Sequence, residues 1–140
     1  MNTRLKLILF AVPFVLLDLI TKSLAMGKDI SVVNDILKIK YAINTGGTFS
    51  LLTGYNWLFV IISIGIIIFF LIFSENLDKV GFSGFVLILS GAFGNLIDRL
   101  VYGYVRDFID FGFFPTFNLA DVFLSVGVVL VVLYWRRVRN

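Results

Sequence analysis

The chain has 140 residues, of which 59% are hydrophobic and only 15% charged, with a formal net charge of +3. Its mean hydropathy is +1.00. Soluble domains carry about 25% charged residues, so this mixture cannot clothe a water-exposed surface, and it predicts an integral membrane protein built as one domain over residues 1–140. Cysteine and histidine are absent, which excludes disulfides, thiol nucleophiles, Cys/His zinc sites and every Ser-His-Asp or Cys-His arrangement.

Four apolar segments stand out, at about residues 5–25, 55–73, 82–98 and 119–135. A helical span needs about 20 mostly apolar residues. The first segment is interrupted by Pro13, Asp18 and Lys22. Its basic start and apolar centre resemble a secretory signal, but no clean small-x-small exit follows, so it reads as a retained span.

Between the first two spans, "ILKIKYAI" alternates, with Lys38 and Lys40 on one face and Leu37, Ile39, Tyr41 and Ile43 on the other. That period of two predicts a half-buried strand. "SVV" precedes it, with Asn34-Asp35 as turn residues between. A small antiparallel sheet at the outer membrane surface is the expectation.

The second segment, "WLFVIISIGIIIFFLIF", carries no charge, and "SENLDKVG" links it to the third. The third is rich in small residues, Gly91 and Gly94 among them, that let helices approach closely. Residues 99–117 read as an outer loop bringing Asp107 and Asp110. After the fourth segment come Arg136, Arg137 and Arg139, and Arg4 and Lys6 open the chain. Basic clusters flanking spans mark the cytoplasmic side. The outer segments carry basic residues too, so the bias rests on the termini. No long basic run interleaved with aromatics points to nucleic acid. The expected fold is an all-α polytopic membrane protein: four transmembrane helices, a small extracytoplasmic β-sheet, and both termini cytoplasmic.

Polar residues near a bilayer are costly and mark function. Here Asp18, Lys22, Asn95, Asp98, Arg99, Asn118 and Asp121 gather toward the outer ends of the spans. Each has a plainer reading. Asp18 and Lys22 are spaced as an intrahelical ion pair. Asn118 is placed as a helix N-cap with Asp121 favoured by the helix dipole. Arg99 can snorkel to headgroups, and Asp110 reads as a solvated loop residue. As a set they make a site. Two carboxylates held close share a proton, one then taking a proton from water and the other donating to a carbonyl oxygen, as in aspartic proteases. Periodicity leaves open whether Asp107 or Asp110 partners Asp121.

Five blocks, in order, resemble the lipoprotein signal peptidases (signal peptidase II). "DLITKSLA" (18–25) resembles a first block of an Asp with a Lys four residues on. "NTGGTFSLL" (44–52) resembles Asn-x-Gly-Ala-Ala-Phe-Ser, and "GAFGNLIDRL" (91–100) resembles Gly-Asn-x-x-Asp-Arg. "VRDFIDF" (105–111) resembles Val-x-Asp-Phe-Ile, and "FNLADVFLSVG" (117–127) resembles Phe-Asn-x-Ala-Asp. Gly47-Thr48 stand where Ala-Ala is usual, and Arg106 where a second Val is common.

The resemblance implies an aspartic endopeptidase of the bacterial cytoplasmic membrane with its active site at the outer face. It implies cleavage of diacylglyceryl-modified prolipoproteins on the N-terminal side of the lipidated cysteine, by a monomer among membrane lipids, with no cofactor and no metal. It implies Asp107 and Asp121 as the catalytic pair and makes Asp110 a bystander. Asp18, Lys22, Asn44, Gly46, Asn95, Arg99 and Asn118 are implied as supporting or substrate-binding residues. Asn118 and Arg99 would hold the carboxylates, and the strand near Asn44 would cover the cleft. Two rival classes remain. A transporter or assembly factor predicts charges facing one another at mid-span. A Ser/Lys peptidase would use Lys22 with Ser23 or Ser50.

Overall fold

The computed structural model describes residues 2–33, 36–46 and 54–139. In chain order these form α1 (Thr3–Ala25), β1 (Asp29–Val33), β2 (Leu37–Asn44), α2 (Asn56–Ile72), α3 (Lys79–Tyr102), β3 (Val105–Asp110) and α4 (Leu119–Arg139). The expected turn at Asn34-Asp35, the Gly47-Thr48 pair and Ser50 lie outside the described residues.

The helix α3 is the axis of the bundle and packs against α1, α2 and α4. Two thirds of its apolar stretch is buried. Small residues make this closeness feasible: a Cβ on Gly91 would collide with the Ala120 carbonyl oxygen of α4, and one on Gly94 would stand 2.5 Å from Asp18 Oδ2 of α1. The shared core includes Leu7 and Ala11 of α1, Val60 of α2, Phe85 and Leu89 of α3, and Val131 of α4. The outward faces are equally apolar: Phe10, Leu16 and Ile20 on α1, and Ile61 and Ile68 on α2, are exposed. Such faces suit hydrocarbon and not water. The helices α1, α3 and α4 are long and apolar enough to cross a membrane, while α2 is apolar but has 17 residues.

Two expected boundaries move. The third helix begins earlier, at Lys79, because Asp78 caps it by accepting from the Gly81 N–H at 2.7 Å. It ends later, at Tyr102, where Gly103 adopts φ +80°. Asp98 and Arg99 therefore lie inside the helix. The span read as an outer loop contains a strand, β3, so Asp107 and Asp110 stand on a sheet. The run Val-Arg-Asp-Phe-Ile-Asp does not alternate apolar with polar, which hid its strand character.

The sheet is antiparallel in the order β1-β2-β3. On its β3 side, Ile39 pairs with Ile109 but Ala42 pairs with Asp107. Two residues of β2, Lys40 and Tyr41, thus stand opposite Phe108 alone. This bulge breaks the expected alternation: Ala42 and Asn44 fall on the face of Ile39, and Ile43 turns out, 58% exposed.

Candidate active site

The connections bring the polar residues to one end of the bundle. The C-terminus of α1 leads into β1, and that of α3 leads into β3, which leads on to the N-terminus of α4. Pairing of β2 with β3 closes the sheet over these ends. Asn56, the first residue of α2, donates to the Arg99 carbonyl oxygen at 3.3 Å and brings α2 to the same place.

Asn118 is the centre of the arrangement. It caps α4: its Oδ1 accepts from the Asp121 N–H at 3.0 Å, and Asp121 Oδ2 accepts from the Asn118 N–H at 3.2 Å. This reciprocal pair is a capping box with an aspartate in place of the usual glutamate. The Asn118 amide then donates to Asp107 Oδ1 at 2.6 Å and to Asn95 Oδ1 at 3.2 Å. One residue therefore holds both carboxylates, and both of its amide protons are used.

Each carboxylate has a second donor. Asn44 Nδ2 donates to Asp107 Oδ2 at 3.0 Å, and Asn95 Nδ2 donates to Asp121 Oδ1 at 2.8 Å. Asp107 is 2% exposed. Burial, followed by the neighbouring charge of Asp121, pushes its carboxyl up from 3.8 to about 7, against the opposing pull of the Asn44 and Asn118 amides and Lys22. Near neutral pH the site thus holds a carboxylic acid beside a second carboxyl group.

Both aspartates line a cleft of about 960 Å³ that also takes in Phe59 and Ser63 of α2. Arg99 and Gly46 line it too. The Arg99 guanidinium donates to the Gly46 carbonyl oxygen at 3.3 Å and lies 5.0 Å from the Phe59 ring centre. It braces the chain after β2 and α2 at the rim, and does not merely reach for headgroups. Asp110 takes no part in the cleft lining. It is half-buried at the end of β3, where its Oδ1 accepts from the Gly112 N–H at 2.7 Å.

Asp18 and Lys22 lie behind the cleft, both 0% exposed. Lys22 Nζ is 2.7 Å from Asp18 Oδ2 and 3.3 Å from Asp98 Oδ2, and it donates to Asn95 Oδ1 at 3.0 Å. The ammonium thus has one hydrogen bond, to Asn95, and two carboxylates at ion-pair distance. Asp18 Oδ1 also accepts from the Ala120 N–H at 2.9 Å, a second anion at the start of α4. Ser23 Oγ donates to the Leu19 carbonyl oxygen at 2.8 Å and accepts from Arg106. Neither Lys22 nor Ser23 is arranged as a nucleophile and base.

Two residues had no assigned role in the sequence reading. Asp98 is 0% and Arg106 2% exposed, and they form an ion pair at 2.7 Å. The signal for Asp98 was its place one turn after Asn95. For Arg106 there was none, since a charged residue beside "DFID" reads as solvated.

Comparison with known proteins gives a consistent result. Residues 10–137 match the family model described as signal peptidase (SPase) II. A lipoprotein signal peptidase of Halothermothrix orenii is 40% identical over 134 residues, covering 88% of this chain and 90% of that protein. One from Caldicellulosiruptor bescii is 45% identical over 123 residues, covering 82% and 80%. A bacterial membrane enzyme structure obtained by the in meso method at 2.3 Å superposes with a TM-score of 0.86 at 33% identity, covering 94% of this chain and 88% of that one. With the match running through all four helices and the sheet, the chain belongs to the signal peptidase II family.

Proposed function

We propose that Asp107 and Asp121 are the catalytic pair with which this chain performs the reaction of its family. As a signal peptidase II it is an aspartic-type peptidase of the membrane that removes signal peptides from prolipoproteins. The observation that carries the residue assignment is the double grip of Asn118 on Asp107 and Asp121.

In this reading Asp107, raised to about 7, holds the proton, and Asp121 acts as the base. Asp121 takes a proton from water as the oxygen attacks the scissile carbonyl carbon. Asp107 gives its proton to the carbonyl oxygen, and a neutral gem-diol forms. Asp121 then hands its proton to the leaving amine nitrogen and the C–N bond breaks. Asp107 recovers a proton from a gem-diol hydroxyl as the new carbonyl forms, and both groups return to their starting states. Asn118, Asn95 and Asn44 hold the carboxylates. Lys22 and Asp18 hold Asn95 and the start of α4. Arg99 and Gly46 shape the rim that grips the peptide. The cleft between α2 and the sheet admits the diacylglyceryl-modified substrate sideways from lipid, cut before the lipidated cysteine.

The topology we propose has four spans within one domain, residues 1–140. The start of α2 lies beside the end of α3, and α2 must reach the opposite end for α3 to begin there. Its 17 uncharged residues extend about 25 Å at ~1.5 Å each, near the ~30 Å of a hydrocarbon core. The sheet and cleft then face outward, and both termini, with Arg4, Lys6 and the closing arginines, face the cytoplasm. Placement in the bacterial cytoplasmic membrane follows. A single chain supplies both carboxylates, so a monomer surrounded by lipid suffices.

Asp107→Asn and Asp121→Asn, each purified and mixed with a diacylglyceryl prolipoprotein, test the assignment. Loss of cleavage in both, with both variants folded, supports it. Cleavage at the parental rate by either one overturns it.

A further inference from the structure

We propose that Arg106 is a positioning residue for the reaction: paired with Asp98, it fixes β3 against α3 and so sets where Asp107 stands relative to Asp121. The inference rests on the catalytic reading given above.

Arg106 precedes Asp107 in β3, so anything that fixes its peptide fixes the next residue. Asp98 does this twice. Its Oδ2 accepts from the Arg106 backbone N–H at 3.0 Å, and its Oδ1 accepts from Nε at 3.1 Å and Nη2 at 2.7 Å. The rest of the guanidinium is also held. Nη1 donates to Ser23 Oγ of α1 at 3.2 Å, and the group lies 4.4 Å from the ring centre of Tyr102 in α3. A planar, forked cation held on several sides is a rigid strut. It ties the sheet to two helices one residue from a carboxylate that must be placed accurately.

The same aspartate reaches the other member of the pair. Asp98 Oδ2 lies 3.3 Å from Lys22 Nζ, Lys22 donates to Asn95 at 3.0 Å, and Asn95 donates to Asp121 at 2.8 Å. From one buried carboxylate, one arm runs through Arg106 to Asp107 and the other through Lys22 and Asn95 to Asp121. Asp18, Lys22, Asp98 and Arg106 are two anions and two cations, so the network is neutral.

Arg106 is buried on the α1–α3 side and does not line the cleft. Its loss is therefore expected in kcat and not in substrate binding. The full chain in detergent, assayed with a diacylglyceryl-modified prolipoprotein, tests this. R106M is expected to lower kcat by about 10²-fold, the scale of a 1 Å misplacement, with KM unchanged. R106K keeps the charge but not the fork, and is expected to fall between R106M and the parent. Because R106M leaves Asp98 short of a partner and can fail to fold, the double variant D98N/R106M removes both charges and leaves Asp18–Lys22 neutral. It is expected to melt near the parent and to share the kcat loss.

Parental kcat in R106M or in the double variant overturns the proposal. So does full activity in R106K, which would reduce the role to charge, or a loss that merely follows the unfolded fraction. D107N run alongside separates the two levels. If D107N is active, the catalytic reading falls and this inference with it. If D107N is inactive while R106M is unimpaired, this inference alone falls.

Discussion

Asn44 donates its side-chain N–H to Asp107 Oδ2 at 3.0 Å, and the bulge at Lys40-Tyr41 is what places it on that face. Ile39 pairs with Ile109, and regular pairing from there would set Tyr41, not Ala42, opposite Asp107. The observed partner is Ala42. One extra residue exchanges the faces of everything beyond it. Asn44 thereby moves from the outer face of the sheet to the face that carries the carboxylate. Its Oδ1 accepts from the Gly46 N–H at 3.0 Å, which fixes the amide orientation.

Asn44→Ala removes a donor that favours the ionised form of Asp107. The carboxyl is then held still higher. A hydrogen bond to a charged group contributes ~1.5–3 kcal/mol, so the alkaline limb of the kcat profile should move up by about one pH unit or more. A pH profile that matches the parent would show that the contact does not act on Asp107.

The parental profile has its own expected form. In the proposed mechanism Asp107 serves as the acid, and its carboxyl stands at about 7. Activity should be high below that pH and fall as pH rises through it, because the proton needed by the carbonyl oxygen is lost. Initial rates between pH 5 and 9 measure this. A rate that rises steadily through pH 8 would mean that Asp107 works as the base.

Stability gives a separate reading of the same group. The folded-state value lies above the unfolded 3.8, so the acid form is favoured by folding. That contribution is complete below about pH 4 and is lost as pH rises through about 7. Asp107→Asn never ionises. Relative to the parent it should melt higher at pH 8 than at pH 4, by an amount on the order of a few kcal/mol, because the cost of facing its amide NH2 to the Asn44 or Asn118 donor is the same at both. The same difference from the parent at both pH values would place the Asp107 carboxyl near its ordinary range.

The helices and the blocks of the site were legible in the sequence because they are local. Apolar runs mark α1 to α4, and Asn118 with Asp121 carries its cap signal in a four-residue window. The strand Leu37–Asn44 was legible from its alternation, but its bulge was not, since nothing within β2 records the register of β3. The choice between Asp107 and Asp110 came from family resemblance. In the structure, two residues of a strand spaced by three point to opposite faces, and of the two only Asp107 shares the face of Asn44. Arg106 was illegible because its partner is eight residues away on another element. The helix end at Tyr102 was hidden because Asp98 and Arg99 look like a boundary when their partners are unknown.

Lys22 offers the sharpest test of the charge balance behind the cleft. Lys22, Asp18 and Asp98 are each 0% exposed. Lys22→Met leaves two buried anions with Arg106 as their cation, and breaking a buried pair costs about 3–5 kcal/mol. The variant should melt far below the parent. Adding Asp18→Asn restores balance, since Asp98–Arg106 remains paired and the introduced amide keeps an oxygen for the Ala120 N–H. The double variant should recover most of the lost melting temperature. It should also retain measurable cleavage, because Lys22 acts on Asp121 only through Asn95. Melting curves and cleavage rates of the two variants decide the matter. A stable double variant without activity would return Lys22 to the reaction itself, as a Ser/Lys peptidase requires. A double variant no more stable than Lys22→Met would mean that charge balance is not what Lys22 supplies.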